Sequence, residues 1–229
     1  MTDLESSNNL VQRYQAVHSE VDTLAKQHQQ AVTLLAVSKK HSAQAIAEIH
    51  QQGQHCFAEN YVQEGVDKVS ALEHLDIEWH FIGPIQSNKT RPVAEHFDWV
   101  HTVDRDKIAQ RLNDQRPDER SPLNVLIQVN ISAQESKSGI AIDDIAALAK
   151  HIAAQPKLTL RGLMCIPAPL DEAQLKTEFN AMHDAFNQLK AQYETVDTLS
   201  MGMSGDCSLA IECGSTMVRI GTAIFGQRN

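Results

Sequence analysis

The chain lacks the marks of export and of membrane residence. Met1 to Leu10 is polar and acidic, with no basic segment and no apolar stretch, and no run anywhere is long enough to span a bilayer. A cytoplasmic protein is expected, so the glycosylation triplet Asn130-Ile131-Ser132 has no machinery to meet. Cysteine is scarce. Cys56, Cys165, Cys207 and Cys213 form no C-x-x-C and no zinc-type pairing with histidine, which points to reduced thiols used for packing. Basic charge is short as well: 20 Lys plus Arg stand against 29 Asp plus Glu, a net charge of -9. Such a surface repels phosphate backbones and anionic lipid, so neither nucleic acid nor a membrane is an expected partner. A local basic pocket for a small phosphorylated ligand is still compatible with it.

Other absences narrow the chemistry. The 11 histidines include no H-E-x-x-H or comparable ligand spacing, so no metal is expected. Neither a P-loop nor G-x-G-x-x-G occurs, and Gly202-Met203-Ser204-Gly205 falls short of a nucleophile elbow. No linker or low-complexity tract interrupts the chain.

What is present is a long alternation. At 42% hydrophobic residues the chain can bury a substantial core. Ser6 or Ser7 is placed to cap a first helix carrying Leu10, Val11, Tyr14, Val17, Val21 and Leu24 at helical spacing. Strand-like apolar runs then recur at 32–37, 56–58, 79–82, 99–101, 125–129, 158–163, 198–201 and 217–220, with helix-like segments between them. Eight consecutive strand–helix units predict a single α/β domain over residues 1–229: a (β/α)8 TIM-type barrel with an extra N-terminal helix. An open doubly wound sheet is the alternative.

Barrels of this kind carry their sites at the C-terminal ends of the strands. Those ends bring Ser38-Lys39-Lys40, Glu59-Asn60-Tyr61, Gly83 to Lys89, Asn130 with Glu135 to Gly139, Gly202 to Asp206, and Gly221-Thr222 to one rim. A lysine ending an apolar strand is a candidate for Schiff-base chemistry, or simply a solvated strand end; alternation does not decide between Lys39 and Lys40. Gly202 to Ser204 and Gly221-Thr222 fall where phosphate sites often form. Arg219, inside an apolar strand, needs an acceptor: a ligand, or a barrel carboxylate in a structural ion pair. His80 reads as a satisfied core histidine, and Cys207 and Cys213 as packing residues.

Six blocks in order carry a resemblance: Leu34 to Lys39, Glu59 to Glu64, Trp79 to Lys89, Arg161 to Met164, Leu199 to Ser204, and Gly214 to Gly226. Over nearly its whole length the chain resembles the pyridoxal phosphate homeostasis protein family, whose fold is that of the N-terminal barrel of alanine racemase. The resemblance implies that pyridoxal 5′-phosphate is held as a reversible Schiff base on Lys39, in vitamin B6 homeostasis. It implies Arg219 facing the pyridine nitrogen, Asn60 beside the cofactor, and Ser204, Gly221 and Thr222, with Ser200, on the phosphate. The family's aspartate is kept as Asp206, whereas Cys207-Ser208 departs from the usual pair at the helix beyond it.

Arg219 cannot accept a proton, so the ring nitrogen it faces stays unprotonated and the ring is a weaker electron sink. Alanine racemase adds a tyrosine base from a second domain, and this chain ends three residues after Gly226. A carrier or buffer with no assigned catalytic residue is therefore expected rather than an enzyme, a monomer that passes the cofactor to acceptor enzymes. A racemase-like enzyme and a cofactor-free Schiff-base lyase are the alternatives. Lys89 and Lys137 read as solvated rim charges, with drawing in the anionic cofactor as their other possible role.

Overall fold

The computed structural model describes residues 2–134 and 137–227. Eight parallel strands close into a barrel in sequence order: β1 (Thr33–Val37), β2 (Cys56–Glu59), β3 (Glu78–Phe81), β4 (Trp99–Val103), β5 (Leu123–Val129), β6 (Leu158–Cys165), β7 (Thr198–Ser200) and β8 (Met217–Ile220). The ring is sealed where β1 pairs with β8, with Leu35 opposite Arg219. Closure removes both sheet edges, so the open-sheet alternative does not apply.

The helices α1 (Thr2–Gln27), α2 (Ala43–His50), α3 (Val62–Ala71), α4 (Thr90–His96), α5 (Asp106–Gln115), α6 (Ile145–Ala153), α7 (Glu172–Lys190), α8 (Cys207–Glu212) and α9 (Thr222–Phe225) complete the units. Local chemistry starts two of them. Ser42 accepts from the Ala45 amide at 3.2 Å to cap α2, and Asp171 accepts from the Gln174 amide at 2.9 Å to cap α7. The first helix departs from its expected start. It begins at Thr2, so Ser6 and Ser7 lie within it and not at its N-cap. Its buried stripe, Leu10, Tyr14, Val17 and Val21, packs across α9, α8 and α2.

The strands are apolar runs because both of their faces are covered. The main core fills the layer between sheet and helices, with Phe57, Phe81, Phe97, Ile108, Leu112 and Phe179 fully buried. Inside the barrel the apolar packing is divided. Leu35, Val37, Ala58 and Met217 form one cluster, and Trp99, Leu126 and Met164 another. Among the described residues, no helix is long and apolar enough to cross a membrane.

Candidate cofactor site

A cavity of about 300 Å³ opens at the C-terminal mouth of the barrel. Val37, Ile82 and Met164 give it apolar walls, and Lys39, Asn60, Ser204, Arg219, Gly221 and Thr222 its polar ones. Four different strand ends, those of β1, β2, β7 and β8, supply that polar set. Ile166 and Met203, each 38% exposed, flank the opening.

The structure separates the two lysines. Lys39 continues the inward register of Leu35 and Val37 and lines the cavity. Lys40 takes a left-handed conformation, φ 64°, and turns outward over the Tyr61 ring, 5.9 Å from its centroid. What fixes this corner is a buried ionic cluster. Lys68 donates to Glu59 at 2.8 Å, to Glu64 at 2.7 Å and to the Ser38 carbonyl at 2.9 Å. Ser38 in turn donates through its hydroxyl to Glu59 at 2.6 Å, and the Lys40 amide donates to Glu64. The backbone on both sides of Lys39 is thereby held by side chains from β2 and α3.

Arg219 is almost fully buried, and its acceptors are neutral. Nη1 donates to the Ser200 carbonyl and to its hydroxyl, both at 2.7 Å, and Nη2 donates to the Cys165 carbonyl at 2.8 Å. The structural ion pair open to it in sequence is replaced by these carbonyls. Burial lowers the guanidinium's pKa, opposed by Cys165 and Asp206, and the group stays charged.

Ser200 begins a polar chain that crosses the barrel interior. Arg219 can only donate and the Glu78 carboxylate can only accept, which sets the direction of every link. Ser200 Oγ donates to His101 Nδ1 at 3.2 Å, His101 Nε2 to His80 Nδ1 at 2.9 Å, and His80 Nε2 to Glu78 Oε1 at 2.9 Å. Complete burial pushes both imidazoles below their ordinary pKa; His80 and Arg219 drive His101 down further, while Glu78 opposes the shift at His80. Two neutral histidines fit this one-way chain. Burial alone would raise the Glu78 carboxyl, but the donors His80 and Cys56, His80 above all, outweigh it and hold the group ionised. His80 is therefore the satisfied core histidine expected.

Two glycines allow the approach of the mouth loops. A Cβ on Gly83 would stand 2.0 Å from the Asn60 carbonyl oxygen, so only glycine lets the end of β3 pass under Asn60. Gly202 has φ 97°, and its added Cβ would meet Ala210 at 2.6 Å. That conformation turns the chain after β7 into the loop carrying Ser204, which Asp206 closes by accepting from the Met203 amide. The departure at Cys207-Ser208 is accommodated simply: Cys207 is buried and Ser208 is exposed. On the other side Thr222 opens α9, where the Ile224 and Phe225 amides both donate to the Gly221 carbonyl at 2.9 Å.

Of the expected site residues, Lys39, Asn60, Ser204, Arg219, Gly221 and Thr222 converge on the cavity. Ser200 is fully buried and does not line it; its hydroxyl serves Arg219 and His101. Lys89 sits exposed in a 3-10 turn, Ser87–Lys89, and does not line the cavity. Lys137 is tied to the Ile166 and Pro167 carbonyls at 3.2 and 2.6 Å, beside the mouth. Glu135 and Ser136 lie outside the described residues. The sequence reading passed over Glu59, Glu64 and Lys68 as a unit and did not use His101. For the first three a signal existed, since Glu64 and Lys68 are four apart on a helix directly after a strand-end carboxylate.

Known proteins resemble the chain over most of its length. The family model for the alanine racemase N-terminal domain matches residues 13–229. A pyridoxal phosphate homeostasis protein of Haemophilus influenzae is 55% identical, over 96% of this chain and 97% of its own length. Its namesake in Escherichia coli K12 is 59% identical over 86% of each chain. Among solved structures, PipY of Synechococcus elongatus PCC7942 with PLP bound superposes with a TM-score of 0.83 at 34% identity, covering 95% of this chain and all of that one.

Proposed function

The chain belongs to the pyridoxal phosphate homeostasis protein family, and from that premise we propose that it holds pyridoxal 5′-phosphate as a reversible Schiff base on Lys39 and passes it to acceptor enzymes. The observation that carries this reading is the cavity itself. One amine, one guanidinium and a group of hydroxyl and glycine positions meet between apolar walls, in a space of about 300 Å³. A flat ring with an aldehyde at one edge and a phosphate at another matches that distribution of groups.

When bound, the cofactor supplies an aldehyde that an amine condenses with reversibly, with loss of water. Lys39 provides the amine, and the Lys68 cluster fixes the backbone from which it projects. Asn60 borders the ring. Ser204 and Thr222 donate hydroxyl protons to the phosphate, while Gly221 keeps that corner free of a side chain. Arg219, which can only donate, would hydrogen-bond to the pyridine nitrogen, and that nitrogen, as the acceptor, would stay unprotonated. Its position is set by the Ser200 and Cys165 carbonyls, so it does not depend on the ligand. A ring held in this way withdraws electrons weakly, which favours storage and transfer over carbanion chemistry.

The test is borohydride reduction of the loaded protein followed by peptide mass spectrometry. A phosphopyridoxyl adduct is expected on Lys39, and none on that peptide in Lys39→Ala. An adduct on another lysine, or no adduct after incubation with the cofactor, would overturn the assignment. Turnover of alanine by the loaded chain would instead support the racemase-like alternative.

A further inference from the structure

At the opposite end of the barrel from the cavity, Cys56, Glu78 and His80 come together. Cys56 opens β2, Glu78 opens β3, and the two are register partners, so their side chains enter the barrel at one level. His80 lies two residues further along β3 and points the same way. Cys56 Sγ is 3.5 Å from Glu78 Oε1, and His80 Nε2 is 2.9 Å from that same oxygen. All three ligating atoms fall within 4.8 Å of one another. A tetrahedral zinc ion holds its donors roughly 3.3–3.6 Å apart, given bonds of about 2.0–2.3 Å, so small rotamer adjustments bring the three into register.

The surroundings are those of a metal site. The second ring nitrogen of His80 is engaged by His101 at 2.9 Å, and the ring lies flat on Trp99, 5.1 Å between centroids at 12°. The Trp99 Nε1 is buried beside the Glu78 carboxylate yet has no hydrogen bond of acceptable geometry, a donor left over at the edge of the cluster. A water on the fourth position of an ion bound here would supply the acceptor it lacks. The Glu78 side chain is 43% exposed, which gives ions a route from solvent.

We propose that Cys56, Glu78 and His80 form a three-ligand site on the barrel floor for zinc or a similar borderline divalent transition ion, with water as the fourth ligand. One thiolate, one imidazole and one carboxylate make a donor set suited to such ions and not to magnesium or calcium. Binding releases one proton, that of the Cys56 thiol, to solvent. His80 moves its ring proton from Nε2 to Nδ1 and donates to His101 Nε2; His101 moves its own to Nδ1 and donates to Ser200 Oγ, whose hydroxyl proton rotates off that nitrogen. The ion thus reverses the direction of the chain that ends on Arg219.

Cobalt(II) is the probe, added to the full-length protein as purified after chelator treatment and read as a difference spectrum. One ion per chain is expected, with the intense visible bands of four-coordinate cobalt, a thiolate-to-cobalt band in the near ultraviolet, and displacement of both by zinc. Cys56→Ser removes the thiolate band and weakens zinc binding, measured by calorimetry, by at least the ~10–100-fold that loss of an outer-shell partner costs. Glu78→Gln, at a partly exposed position, weakens zinc to a similar degree and keeps the thiolate band. Unchanged melting of both variants without metal separates lost ligation from misfolding. A chain that takes up no stoichiometric cobalt, or a Cys56→Ser variant with the wild-type spectrum and affinity, would overturn the proposal; the second outcome places the ion elsewhere, such as at the exposed pair His50 and His55.

Discussion

Lys68 contributes no atom to the cavity, yet it joins Glu59, Glu64 and the Ser38 carbonyl in one buried cluster next to Lys39. Glu59 is fully buried, and one of its carboxylate oxygens has no hydrogen-bond partner. Removing Lys68 leaves that charge uncompensated. Lys68→Met is therefore expected to destabilise the fold by about 3–5 kcal/mol in urea unfolding, with Lys68→Met/Glu59→Gln recovering a good part of the loss. The pH dependence has a definite sign. Burial raises the Glu59 pKa against the pull of Lys68 and Ser38, so its contribution is complete below the unfolded pKa and fades as pH rises through the folded one. Without Lys68 the carboxyl is raised further, and the variant's deficit should be largest at about pH 8 and shrink toward about pH 5. At this scale alternation left Lys39 and Lys40 equivalent, and only the family resemblance chose Lys39. They are distinguished by the left-handed turn at Lys40 and by carboxylates that arrive from β2 and α3.

Among the elements, α1 is the one that stands outside the strand–helix repeat, and it bears on the site through α9. Arg13 donates to the Ile224 carbonyl at 2.8 Å and to the Phe225 carbonyl at 3.3 Å, the last turn of the short helix that Thr222 opens. A four-residue helix has little stability of its own, so this tether and the packing of α1 hold it in place. Arg13→Ala should release the bound cofactor several-fold faster, followed by the loss of its visible absorption on dilution, at a cost to global stability of only about 1 kcal/mol. The strands were legible in the sequence because a strand covered on both faces is a bare apolar run, and every predicted run lies on a strand of the barrel. The start of α1 was less legible, since Ser6 and Ser7 carry a capping signal that a helix beginning at Thr2 does not use.

Over the whole molecule, closure of the barrel decides which groups meet solvent. Cys165, Cys207 and Cys213 are buried, and burial pushes Cys165 up to about 12 and Cys207 to about 11. A thiol-disulfide reagent at about pH 8 should leave these two unmodified in the native protein and modify all four cysteines once guanidinium unfolds it. The acidic balance of the surface acts at this scale too, leaving the few cations of the mouth to select an anionic ligand. The alternation of apolar runs and helical segments determined eight strand–helix units from the sequence alone, because hydrophobic periodicity is a local property of the chain, whereas closure into a barrel over the open-sheet alternative came with the pairing of β1 and β8. The resemblance carried by its motifs named the residues that line the mouth. Only the tertiary structure decided how Ser200 is spent, what holds Lys39 and Arg219, and that Cys56 faces Glu78 and His80. Those relations depend on the register between strands and on which face each side chain takes, and neither is written in the spacing of residues along one strand.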